Sequence, residues 1–187
     1  DIDGTIQATA QQGILDVQLR PERRNRVKVL MLFDVGGSMD AHIRQCEQLF
    51  SAAKNEFKSL VDFYFHNCVY DYVRKGNQRR SATRMQTFDL LNTYGRDYRV
   101  IVVGDASMAP YEITSVGGSV EYMNDEAGQV WLQRLRQHFD KTAWLNPEQK
   151  NYWSYTYSIG LIKQIFDDHM YPMTLHGLED LTRYLAR

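Results

Sequence analysis

Excess charge of either sign is missing from this chain. Its 187 residues carry 22 basic and 23 acidic side chains, a formal net charge of −1. That balance gives no general attraction to nucleic acid or to anionic lipid. Cysteine is scarce as well: Cys46 and Cys68 are the only two, and no metal-ligand spacing relates them. A disulfide framework is thereby excluded, and the pair reads as buried or half-buried thiols in a reducing compartment, the cytoplasm. No apolar run approaches the roughly 20 residues of a membrane helix, and the N-terminus lacks the basic-then-apolar pattern of a signal peptide. Repeats and low-complexity stretches are absent too.

What is present suits one globular domain: 43% of residues are hydrophobic, enough for a core without disulfides. The chain begins with Asp1 rather than Met, and its first residues already look structured, so it reads as part of a longer protein. Alternation around Gln11-Gln12-Gly13, with Leu15, Val17 and Leu19 on one face, predicts an N-terminal β-hairpin within residues 1–26. The nearly continuous apolar run Val27 to Phe33 predicts a strand covered on both faces, ending at Asp34. Apolar residues at three- and four-residue steps predict a helix from Asp40 to Leu60.

Short strands are expected at Val61–Phe65 and Val69–Val73, joined through His66 and Asn67. A helix capped by Thr87 follows, then a second buried strand, Arg99–Val103, that stops at Gly104-Asp105. Ala106 to Asp125 has no clear period. Beyond it the pattern predicts a helix near Gln129–Phe139, a strand at Thr142–Leu145, a helix at Tyr157–Met170, a strand at Tyr171–Thr174 and a last helix with Leu178, Leu181 and Leu185. Alternating strands and helices imply a three-layer α/β/α, Rossmann-like fold with a mostly parallel sheet. Ligands of such sheets sit outside the carboxyl ends of the strands, where Asp34 and Asp105 both fall.

Asp34-Val35-Gly36-Gly37-Ser38-Met39 carries a carboxylate at a strand tip and a hydroxyl four residues on, with glycines that let the chain turn between them. Oxygen ligands of this kind suit Mg²⁺, which commonly takes only one or two carboxylates from a protein and keeps several waters. The five histidines show no ligand or triad spacing. The clusters Tyr152-Trp153-Tyr155-Tyr157 and Phe63-Tyr64-Phe65 read as packing, and the basic stretch Arg74, Lys75, Arg79, Arg80 and Arg84 as a solvated loop.

With its apolar strand, Asp-x-Gly-x-Ser-Met turn and following amphipathic helix, the chain from residue 27 to 187 resembles the von Willebrand factor A domain and its metal-ion-dependent adhesion site. Asp34 and Ser38 match the first and third positions of that family's Asp-x-Ser-x-Ser pattern, while Gly36 stands where it has a serine. The resemblance implies Mg²⁺, or else Mn²⁺ or Ca²⁺, at Asp34, the Gly36 position, Ser38, a threonine and Asp105. Thr87 and Thr83 are the candidate threonines, and the place of Thr87 before Phe88-Asp89-Leu90-Leu91 favours it. Met39 and Ser107 are the expected partner contacts.

Asp-Val-Gly-Gly-Ser-Met-Asp and the general layout look most like the bacterial CoxE-like proteins. That likeness implies an assembly or cofactor-insertion factor that works beside a MoxR-type AAA+ ATPase. The expected function is non-catalytic: a protein partner's acidic residue completes the cation's coordination. A competing reading takes Asp1-Ile2-Asp3-Gly4-Thr5 as the first motif of a haloacid dehalogenase-like, Mg²⁺-dependent phosphatase, but no strand precedes Asp1 in the sequence as given. A metal-free scaffold with a degenerate site is the third.

Overall fold

The computed structural model describes residues 25–76 and 84–186. The predicted hairpin, Asp1 and Asp3, Arg79, Arg80 and Thr83 lie outside them. Seven strands form one sheet: β1 (Asn25–Asp34), β2 (Phe57–Phe65), β3 (Tyr72–Arg74), β4 (Arg84–Gln86), β5 (Arg99–Val103), β6 (Lys141–Asn146) and β7 (Met170–Pro172), in the spatial order β4-β3-β2-β1-β5-β6-β7. β1 pairs in parallel with β2 and β5, and β6 in parallel with β5 and β7, while β3 and β4 add an antiparallel edge.

The continuous apolar run of β1 is explained by its central place. Val29, Met31 and Phe33 pack on one face with Ala53, Leu181 and Leu185; Leu30 and Leu32 pack on the other with Leu90, Trp131, Leu135 and Ile162. The helices divide accordingly. α1 (Ile43–Glu56) and α6 (Leu175–Leu185) contribute to the first face, and α2 (Thr87–Thr93), α4 (Gly128–His138) and α5 (Tyr157–Ile165) to the second. The chain is an α/β protein with a mostly parallel sheet between two helical layers, as its pattern predicts.

Several boundaries differ from the expected ones. The helix predicted over 40–60 is a 3₁₀ turn, Gly37–His42, followed by α1, and Phe57 and Leu60 belong to β2. Their three-residue spacing continues the helical period, and both pack in the same cluster as Ala53 of α1, so the pattern does not mark where the helix stops. The helix expected to reach Met170 ends at Ile165: Asp167 and Asp168 take positive φ, 48° and 62°, a left-handed turn that Asp tolerates better than most residues, and Met170 opens β7. The aperiodic stretch holds one short helix, α3 (Pro110–Thr114). The basic stretch is not uniformly solvated either. Arg74 is buried against Glu121, and Arg84 lies over the rings of Tyr72 and Tyr122.

Candidate functional site at the sheet's switch point

From β1 the chain runs outward on one side to β2, β3 and β4, then returns to the other side of β1 as β5. The carboxyl ends of β1 and β5 thus flank the point where strand order reverses, the usual position of a ligand crevice. Asp34 is the last residue of β1 and is only 5% exposed. Gly104 lets the two strand ends close up, since a Cβ there would stand 3.0 Å from the Asp34 Cβ and 3.2 Å from the Trp144 ring. Asp105, 4% exposed, follows directly.

Pairing of β1 and β2 continues past Asp34, with the Val35 N–H donating to the Phe65 carbonyl at 2.9 Å. That contact carries the turn after β2 to the Asp34 carboxylate. Asp34 Oδ1 accepts two backbone N–H groups, from Gly36 and from Asn67, each at 2.8 Å. Among the described residues no donor reaches Oδ2. Asn67 itself sits at φ +57°. Its Nδ2 donates to Glu112 Oε2 at 2.8 Å, and Glu112 Oε1 accepts the Ala109 N–H at 3.0 Å, at the start of α3. Glu112 is 4% exposed. Asp34, Asn67 and Glu112 therefore form a chain of contacts from β1 across the β2 turn to α3.

Burial pushes the Asp34 carboxyl up to about 7. The two N–H donors pull the other way, and the charges of Asp105 and Glu112 push it up further. Asp34 also borders a cleft of about 240 Å³ lined by Gly36, Met39, Cys46, Phe50 and Tyr64 among others, so solute can approach it from the α1 side. Burial also raises both thiols, Cys46 to about 11 and Cys68 further, which disfavours the reactive thiolate.

The Asp105 loop is held by side chains from three directions. Trp144 Nε1 donates to the Gly104 carbonyl at 2.7 Å, Asn146 Nδ2 to the Asp105 carbonyl at 2.8 Å, and Ser158 Oγ to the Ala106 carbonyl at 2.7 Å. Ala106 is buried with φ +56°, a conformation that costs energy for a residue with a side chain and so needs such support. Asp105 Oδ1 accepts the Ser107 N–H at 2.9 Å.

The expected residues fall into two groups. Asp34, Gly36 and Asp105 come together; Ser38 and Ser107 are exposed at the rim. Met39, expected to meet a partner, is instead buried, and its sulfur accepts the Asp105 N–H at 3.2 Å, tying the two loops to each other. Thr87 does not cap its helix. Gln86 holds the cap position, and Thr87 is buried with its hydroxyl donating to the Tyr70 carbonyl at 2.5 Å. No described contact joins Thr87 to Asp34. Asn67, Glu112, Asn146 and Ser158 were not foreseen; the one advance signal was Asn67 in a short connection between apolar strands, where Asn is favoured at positive φ.

Among the described residues no three His, Cys, Asp or Glu side chains form a group able to hold a metal ion. A cation here would rest on two carboxylates, Asp34 and Asp105, with amide, hydroxyl or water oxygens completing the set. Mg²⁺ accepts that kind of donor set. Beside Asp34, the Asn67 amide fills the place a side chain at position 36 would take: a Cβ there would stand 2.1 Å from Asn67 Oδ1 and 3.2 Å from Asp34 Oδ1, so both oxygens lie next to Gly36. Among the described residues no helix is long and apolar enough to cross a membrane. In comparisons with known proteins, the chain matches no family model, no curated protein and no solved structure at a significant level.

Proposed function

We propose that this chain is a non-catalytic, cation-dependent protein-binding module of the von Willebrand factor A type. Asp34 and Asp105 hold the ion, Mg²⁺ or else Mn²⁺ or Ca²⁺, with Ser38 at the rim. When bound, the ion supplies positive charge and an open position for a carboxylate of the partner. One observation carries this reading: Asp34 is a nearly buried carboxylate at the sheet's switch point, raised to about 7 by burial and by neighbouring acidic charge. A cation relieves both strains at once, and ionised Asp34 is the form it needs.

The mostly parallel sheet between two helical layers is the fold class that the resemblance implies. On the CoxE-like likeness, the module serves as an assembly or cofactor-insertion factor beside a MoxR-type AAA+ ATPase. Two free thiols, one of them buried, suit the reducing cytoplasm. Mg²⁺ or Mn²⁺ at millimolar concentration is expected to raise the melting temperature through linked binding, and Asp34→Ala to abolish the rise.

A metal-free scaffold is the competing reading, favoured by the use of Thr87 on Tyr70 and the lack of a hydroxyl at Gly36. Partner capture insensitive both to EDTA and to Asp34→Ala would select it.

A further inference from the structure

The contact between Gly36 and Asn67, beside Asp34 at the carboxyl end of β1, points to a ligand. Gly36 has no side chain, yet the space a side chain would fill is taken. Asn67 Oδ1 lies 2.1 Å from where a Cβ of residue 36 would be, and Asp34 Oδ1 lies 3.2 Å from the same point. The residues at 36 and 67 thus exclude each other: only glycine leaves room for the Asn67 amide.

The amide's orientation follows from its other end. Glu112 Oε2 receives Asn67 Nδ2 at 2.8 Å, and a carboxylate accepts rather than donates, so the amide nitrogen must face Glu112. The oxygen is left facing the Gly36 notch beside Asp34. Among the described residues nothing donates to it. Glu112 is itself fixed by the Ala109 N–H, and the Asn67 backbone by its bond to Asp34 Oδ1, so the oxygen is held from both sides. A neutral amide oxygen is an ordinary ligand of hard cations, and one aimed in advance loses little freedom on binding.

We infer that Asn67 is a cation ligand, its amide oxygen replacing across the β2 turn the side-chain oxygen that position 36 lacks, with Glu112 as the residue that aims it. This inference rests on the cation reading above and adds to it a ligand from a different strand.

Isothermal titration with Mn²⁺, read beside the metal-free melting temperature, tests it in the whole chain. Asn67→Gly removes the amide while suiting the backbone's positive φ. Relative to wild type, Mn²⁺ affinity is expected to fall about tenfold or more. Adding Gly36→Ser to Asn67→Gly places a hydroxyl in the vacated space and is expected to restore most of the loss. A purely structural Asn67 would lower the metal-free melting temperature and leave affinity unchanged. Unchanged affinity in Asn67→Gly, with wild type binding Mn²⁺, overturns this inference alone; absence of binding by wild type overturns the cation reading and this inference with it.

Discussion

The two ends of the sheet handle charge in opposite ways. At the amino ends, Lys28 meets Asp97 at 2.8 Å and Arg96 meets Asp140 at 3.3 Å, all four side chains standing well out in solvent. At the carboxyl ends, Asp34, Asp105, Asn146 and Glu112 are all nearly withdrawn from water. Exposed ion pairs are screened and add little to stability, whereas buried carboxylates cost free energy unless something offsets them. Hydrogen bonds from Gly36, Asn67 and Ala109 offset part of that cost, and the raised Asp34 shows what is left over. The carboxyl end is where this fold carries buried charge, a cost that the proposed cation would offset.

The largest expected effect comes from neutralising Asp34. Its folded-state value lies near 7, above the ordinary value of an unfolded aspartate, so between about pH 4 and 7 the folded chain holds a proton that the unfolded chain releases. Stability is therefore greatest below that window, falls as pH rises through it and is flat above it. Without divalent cation, the loss amounts to up to about 4 kcal/mol. Asp34→Asn is expected to remove the slope and to be more stable than wild type at pH 8, which urea denaturation at pH 5 and pH 8 would measure. An identical slope in both proteins would mean that the two ends of the sheet do not differ as described.

A smaller effect is expected from Glu112→Ala, which leaves the Asn67 amide and the Ala109 N–H without their shared acceptor. A loss of about 1–3 kcal/mol should appear in the denaturation midpoint. Gly36→Ala comes next: its methyl group displaces the Asn67 amide from its place and is expected to cost about 1–2 kcal/mol. Asn67→Gly combined with Gly36→Ala should recover much of that, because the clash then has no second party. At the other end of the sheet, Lys28→Ala is expected to leave the melting temperature without resolvable change at physiological salt, since both members of its pair are exposed.

How much of this the sequence carried depends on how far each signal reaches. The parallel sheet, its two helical layers and the strand ends at Asp34 and Asp105 were legible because β1 and β5 are each a nearly continuous apolar run, closed by Asp34 in one and by Gly104-Asp105 in the other. Helix limits were less so. Phe57 and Leu60 bury the same face as α1 although they lie on β2, and Asp167-Asp168 turns the chain with residues common on any surface. Within the site, Asn67 and Glu112 lie 33 and 78 positions beyond Asp34 in segments without period, so only the folded register of β2 on β1 brings them to it. Thr87 misled for the reverse reason. Its place before an apolar helix suggested a cap or a ligand, whereas the Tyr70 carbonyl, in the loop before β3, takes its hydroxyl.

The link between ionisation of Asp34 and cation binding is tested most directly by titrating the whole chain with Mg²⁺ in a calorimeter at pH 6 and at pH 8. Binding should be about tenfold tighter at pH 8 and release a proton at pH 6, because below about 7 the ion must displace the proton that Asp34 holds. No binding at either pH, or equal affinity at both with no proton released, would contradict the assignment of Asp34 as the centre of a cation site.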